Sequence, residues 1–547
     1  MIGKGNSCLS ARVRSNRPTM TVIGSALTAL LAGCSAGTGG SSIAAQAVGV
    51  VAPTASAGLE SSVNPTPATS TVGPTFAVGI NVARSVYYST ERTFANLAKG
   101  SAVWRDSSAG WSDIPASGLT AANYPAVGGV LTINVPQTVR SGITTQVTCT
   151  WTGSGNVSVN GVVRARASNH TLSFNWPGAA NSTVNPFLWV SVDSVSAADP
   201  FTNLDCREPG LVANGAFDQR LVEDLKPYSV LRFLDWSTAN SNPVSVTWEA
   251  RSSPDNLVQN GSDGIALEHM IDLANATDSD AWFTVPWNAD QNYVVKMAAL
   301  VRDRLSPKHK AYFELSNETW NYGFPVATQA LNEGLAEKLS ADHYSNSLLR
   351  YAEKSTWLNK LLTNAFAGNM PRLVRVLNVQ NGQDWGTNLQ LSFRDTAQYV
   401  DAIASAPYFG HSFFDSANSG VTDLTKLFAS LETMRVETIG KAVLVQAVAA
   451  RHNKLYITYE GGQHIIPRDG NAGDKSTAAA MERSPLMYDI YARYLKDLKA
   501  LGVGTSLIYS ATGDIGKHGA WGIREYAGQP LTETPKRRAV LEFTRSK

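Results

Sequence analysis

Two glutamates in this chain sit where acid–base chemistry could be concentrated. Glu318 lies in the stretch Glu314-Leu315-Ser316-Asn317-Glu318-Thr319-Trp320-Asn321, and Glu460 closes Tyr456-Ile457-Thr458-Tyr459-Glu460 just before Gly461-Gly462. They are 460 − 318 = 142 residues apart, so only the fold can bring them together. Two carboxyl groups that meet in a partly buried place cannot both ionise freely. One keeps its proton near neutral pH and the other is left to act as a base or nucleophile. Either glutamate alone reads equally well as a helix-start carboxylate favoured by the helix dipole. The information lies in the pair, each member following a β-like apolar run. Other chemistries lack their signatures: the one G-x-S-x-G match, Gly33-Cys34-Ser35-Ala36-Gly37, follows no strand-like run and makes no elbow, and there is no H-E-x-x-H and no P-loop.

Such run ends need strands behind them. Eight candidates recur: FAVGINV (76–82), VLRFLDW (230–236), AWFTVPW (281–287), AYFELSN (311–317), LVRVLNV (373–379), IASAPYF (403–409), LYITYE (455–460) and TSLIYS (505–510). Each reads as buried on both faces, as in a parallel sheet covered by helices. Between them lie amphipathic stripes, such as Leu267, Met270, Ile271 and Ala274, then Val294, Ala298, Val301 and Leu305. Near the end, Ser484-Pro485 reads as a helix start, Leu486, Ile490, Tyr494 and Leu498 as its stripe, and Gly502 as its stop. Eight strand and helix units predict an α/β fold, a closed (β/α)8 TIM barrel. An open dinucleotide-binding sheet is disfavoured because no GxGxxG follows the first run. Barrel sites form at the C-terminal strand ends, and Glu318 and Glu460 follow the fourth and seventh runs. Residues 104–200 break the rhythm with VLTINV, TTQVTCTW, VSVNGVV, TLSFNW and FLWVSV, and Asn160-Gly161 signals a tight hairpin. A small antiparallel β insertion is therefore expected in the first strand-to-helix connection, where it could wall one side of the cleft.

The chain has 46 Lys+Arg against 44 Asp+Glu, and only 16% of its residues are charged. Nucleic acid is therefore not an expected partner. Thirteen Trp and 18 Tyr are compatible with sugar binding, since indoles cover apolar ring faces. Residues 1–33 read as an export signal: basic residues precede the apolar run MTVIGSALTALLA, which is too short to span a bilayer. It ends in Leu31-Ala32-Gly33-Cys34, which resembles a lipobox with Cys34 as the lipidated residue. Residues 34–74 form a Ser/Ala/Gly/Thr/Pro tether, and 75–547 the folded domain. The expectation is an exported bacterial lipoprotein held to a membrane by its N-terminal lipid, monomeric, with the outer membrane favoured because Ser35 follows the cysteine. Export makes a Cys149–Cys206 disulfide plausible, although sequence does not show that the two meet. These cysteines are too few for a metal site, and no cofactor is implied.

The Asn317-Glu318 pair ending the fourth run and Glu460 ending the seventh resemble the signature of clan A glycoside hydrolases, retaining (β/α)8 enzymes. More narrowly, the stretches around VLRFLDW, SNETWN and Glu460 resemble bacterial proteins loosely described as cellulose-binding. The resemblance implies Glu318 as acid/base, Glu460 as nucleophile and Asn317 on the sugar hydroxyl beside the reacting carbon. It also implies that Arg232 orients the nucleophile, where the residues alone suggest equally an ion pair with Asp235. Tyr408 would hydrogen-bond the nucleophile or simply fill the core. His411 is a further contact candidate, and Trp287, Trp320 and Trp521 are candidate sugar platforms. Two departures touch the subsites. The third run ends in Pro286-Trp287-Asn288 where a histidine is often found, and Tyr509-Ser510 replaces the tryptophan usual after the eighth, with Trp521 eleven residues beyond (521 − 510). The implied function is a retaining glycoside hydrolase acting on extracellular or periplasmic poly- or oligosaccharide by double displacement. The alternatives are a non-catalytic carbohydrate-binding lipoprotein and a transglycosylase.

Overall fold

The computed structural model describes residues 76–109, 111–160, 166–179, 187–210, 215–415, 417–516 and 519–545. The expected signal segment, Cys34 and the tether lie outside the described residues, as does Gly161 of the expected Asn160-Gly161 turn. Eight parallel strands close into a barrel in chain order. They are β1 (Ala77–Asn81), β2 (Val230–Arg232), β3 (Asp280–Val285), β4 (Ala311–Leu315), β5 (Leu373–Asn378), β6 (Ala402–Ser405), β7 (Leu455–Thr458) and β8 (Thr505–Ile508). β1 closes the ring on β8, with Ala77 opposite Thr505 and Ile80 opposite Ile508. With its surrounding helices this is the (β/α)8 barrel expected from the eight runs.

Side-chain alternation along the strands builds two cores. Phe283 and Val285 join the large core between strands and helices, while Trp282 belongs to the core inside the barrel. On the outer face Phe233, Phe283 and Phe313 stack at ring-centroid distances of 6.0 and 5.4 Å. Inside, Trp282 stacks on Tyr312 at 5.2 Å. Such pairs contribute about 0.5–1.5 kcal/mol each beyond the area they bury. β1 needs its glycine: a Cβ on Gly79 would stand 2.8 Å from the Val230 carbonyl oxygen and 2.9 Å from Leu507.

The strands are shorter than the apolar runs. β2 stops at Arg232 and Leu234–Ser237 turn into a helical loop. β6 stops at Ser405, and Tyr408–Phe409 pair instead with Gly462–Gln463. The runs stay apolar past the sheet because the chain remains buried as it folds over the barrel mouth. The helical stripes hold for Leu267–Thr277 and Gln291–Arg304. Helix Pro485–Ala500 is capped by the Ser484 side chain, as expected, but Leu486 is exposed and Met487 takes its place in the core. Steps of four residues rotate about 40° further than a full turn, so the stripe drifts off its own first member.

The insertion lies between β1 and helix Gln219–Leu225 and is a two-sheet sandwich. One sheet has five strands (Arg105–Asp106, Ser112–Asp113, Gly129–Thr132, Asn156–Asn160, Trp189–Asp193), the other four (Thr145–Thr152, Arg166–Ser168, Thr171–Trp176, Thr202–Arg207). Its strands thus run past residue 200, to Arg207. Leu131, Val190 and Val157 from one sheet meet Val147, Phe174 and Leu204 from the other. Cys149 and Cys206 face each other on paired strands and are joined in a disulfide. Leu257 and Val258, from the connection after β2, pack into the same core and fasten the sandwich to the barrel's upper loops.

Candidate active site

Arg232, the last residue of β2, is fully buried at the barrel mouth, and all five of its N–H donors are used. Nε donates to Glu314 Oε1 at 3.0 Å. Nη2 donates to the same oxygen and to Asn317 Oδ1, the latter at 2.9 Å. Nη1 donates to Asn81 Oδ1 at 2.9 Å and to Glu460 Oε1 at 2.6 Å. Asn81, at the end of β1, donates in turn to the carbonyls of Tyr459 and Ile508, which ties the tops of β1, β7 and β8. Arg232, itself held by Glu314, Asn317 and Asn81, therefore fixes one oxygen of Glu460. Tyr408 fixes the other, its hydroxyl donating to Oε2 at 2.9 Å.

Glu318 is held differently. Tyr459 donates to its Oε1 at 3.0 Å and Asn321 to its Oε2 at 2.9 Å, with no cation in contact among the described residues. Ser316 and Glu318 both take positive φ, 54° and 42°, an uncommon backbone state for residues with a Cβ, and so flank Asn317 with two sharp turns. Asn317 Nδ2 donates to Asn240 at 3.0 Å and keeps a second hydrogen for a ligand.

Both carboxyls are raised. Burial pushes Glu460 up to about 7, with Arg232 opposing and the Glu318 charge adding to the rise. Burial also raises Glu318, against the hydrogen bonds from Asn321 and Tyr459. The guanidinium touches Glu460 and not Glu318, and that contact favours the anion on Glu460 over one on Glu318. Burial raises Glu314 too, with Arg232 opposing, and Thr284 donates to its Oε1 at 2.8 Å.

Glu318, Glu460, Asn317, Arg232 and Tyr408 thus converge on one site. Arg232 pairs with Glu314 and Glu460, and Asp235 is met by the Tyr509 hydroxyl at 3.4 Å, so the ion pair with Asp235 is not formed. His411 is exposed and stands against His464, whose ring also meets Tyr408 and Trp521. Half-buried Trp521 lies 6.0 Å from the Tyr509 ring, so it occupies the end of β8 despite its distance in sequence. Trp320 is half-buried and lines a cleft with Tyr322, Tyr344 and Trp385. Trp287 is a correction: it is fully enclosed, its indole N–H donates to Glu333 and Lys354 covers its ring, so it offers no face to a sugar. Glu314, Asn81, Tyr459 and Asn321 belong to the site without having stood out in the sequence. A glutamate inside the otherwise apolar AYFEL was the available signal for the first.

No family model matches the chain, and no curated protein matches it. Solved structures do. A family 51 arabinofuranosidase from Xanthomonas axonopodis pv. citri is 10% identical over 61% of this chain and 67% of its own, with a TM-score of 0.41. A broad-specificity endoglucanase from Clostridium longisporum is 10% identical over 61% and 87%, TM-score 0.38. An endo-β-1,4-mannanase from Cellulomonas fimi is 12% identical over 57% and 63%, TM-score 0.32. These neighbours are clan A glycoside hydrolases, and the similarity is distant.

Proposed function

We propose that the chain is a retaining glycoside hydrolase acting on poly- or oligosaccharide. The observation that carries this reading is the unequal treatment of two neighbouring carboxyls: Arg232 and Tyr408 hold Glu460 as an anion, while Glu318 is held by neutral donors only. In the first step Glu460 attacks the anomeric carbon and forms an ester bond to it. The bond to the leaving oxygen breaks, and Glu318 gives that oxygen its proton. In the second step Glu318, now a carboxylate, takes a proton from water as the water oxygen displaces Glu460, which leaves as an anion. Asn317 Nδ2 holds a hydroxyl of the reacting sugar. Arg232 and Tyr408 keep both Glu460 oxygens in place throughout, so little reorganisation accompanies attack.

The assignments fix a pH profile. Glu460 must be ionised, so kcat/KM falls as pH drops through about 7. Glu318 must be protonated, so kcat/KM falls again as pH rises past its own raised value. Glu318→Gln is expected to erase the basic limb and keep the acidic one. It should lower kcat/KM for poor leaving groups by about 10²–10⁴ while sparing kcat/KM for nitrophenyl glycosides, whose oxygen needs no proton; their kcat still falls, because water attack on the glycosyl ester has lost its base. A basic limb that persists in this variant would remove Glu318 as the acid.

The lipobox-like Leu31-Ala32-Gly33-Cys34 supports a membrane-tethered form of the enzyme outside the cytoplasm. Cys34→Ser is expected to move the expressed protein from the detergent phase to the aqueous phase. Unchanged partition would refute lipid attachment at that residue.

A further inference from the structure

Between the loops that come after β4 and β5 lies a cleft of about 250 Å³. Trp320, Tyr322, Tyr344 and Trp385 line it, with Gln383 and Gln390 among the polar side chains, and among the described residues no charged side chain takes part. Trp385 is 60% exposed, Tyr344 65% and Tyr322 42%. Exposing three large aromatic groups in one place costs hydration free energy unless something covers them. The composition specifies the cover. A charged ligand would find no counter-charge and a purely apolar one would strand the carboxamides. A neutral ring with apolar faces and hydroxyl edges satisfies both. The volume is below the ~300–1,000 Å³ of drug-sized sites, so it suits one ring and not a chain. The position adds direction, because Trp320 is two residues from Glu318 and shares its loop.

We propose that this cleft seats a sugar residue of the leaving portion of the substrate, with Trp385 as its exposed stacking face. This rests on Glu318 as the proton donor, since the leaving oxygen must lie on the donor's side. The enzyme then discriminates by the group on the leaving side of the broken bond: a substrate with a sugar there gains a contact that a glycosyl fluoride, with no ring on that side, lacks. The carboxamide of Gln383, which lines the same cleft as Trp385, supplies hydroxyl partners at the ring edge.

The test uses Glu460→Gln protein, which binds without turnover, titrated calorimetrically with cellohexaose, mannohexaose and xylohexaose. Adding Trp385→Ala, a change at an exposed site whose folding is checked by circular dichroism, is expected to weaken the tightest of these at least about tenfold. Equal affinity with and without Trp385, or no binding of any hexaose, overturns the proposal. If binding depends on Trp385 but the wild type cleaves nothing, the cleft stands and the hydrolase reading falls. If the wild type cleaves and Trp385 is indifferent, the reverse holds.

Discussion

Glu460→Gln is expected to lower turnover by on the order of 10⁴ or more while leaving the fold in place. The amide has nearly the shape of the carboxylate. Its carbonyl oxygen can still accept from Arg232, and its nitrogen can reach the Tyr408 hydroxyl oxygen where Oε2 now accepts. The loss is the electron pair that forms the glycosyl ester. Glu460→Asp separates reach from charge: it keeps the anion but draws it back by one methylene, so it too should lose most activity, since an ångström of misplacement costs about a hundredfold. Thermal unfolding and release of reducing sugar check both. Turnover within tenfold of wild type in Glu460→Gln would remove Glu460 as nucleophile.

The largest effect on stability is expected from Arg232→Met. Its guanidinium is the shared counter-charge of Glu314 and Glu460, all three enclosed at the barrel mouth. Removing one partner of a buried ionic group leaves charges uncompensated, at about 3–5 kcal/mol. The sign with pH comes from the carboxyls. Burial already holds Glu314 above its ordinary value and Arg232 pulls it back. Without Arg232 its folded-state pKa rises further, so the folded form binds its proton more tightly than the unfolded chain. The penalty is then small below the ordinary carboxyl value and grows as pH rises toward the folded-state value. Arg232→Met should therefore melt much lower than wild type at pH 8 and much less so at pH 4, and adding Glu314→Gln should restore part of the loss at pH 8. A pH-independent loss would show that packing, not charge, is the contribution of Arg232.

How much of this was legible in the sequence depends on which physical signal marked each residue. The eight strands were readable because parallel strands buried on both faces leave unbroken apolar runs, and all eight runs carry one. Their ends were not, because Phe233, Leu234 and Trp236 stay buried after β2 has ended, and hydrophobicity reports burial without reporting pairing. Glu318 and Glu460 were visible by position. The network around them was visible only by parity. Asn81, Arg232, Thr284 and Glu314 sit on the inward side of four successive strands and interlock there. The same parity rule sets Trp287 on the outward side with Phe283 and Val285, which is why a tryptophan at a strand end joined the helix-facing core. Asp235 was the sequence neighbour of Arg232, but the chain turns helical after Phe233 and carries it to Tyr509. The aromatic cleft gathers Trp320, Tyr344 and Trp385 from separate loops, and no spacing rule joins residues that meet only through the barrel.

The central claim is that Glu460 forms a covalent bond to the sugar, and the configuration of the first product reports on it directly. With a substrate found on a glycan panel, proton NMR in the first minutes of reaction reads the anomeric signal before mutarotation. Two displacements at one carbon return the starting configuration, so a product of the same anomeric form as the bond cleaved is the expected result. Inverted product, or no hydrolysis of any glycan on the panel, would contradict it.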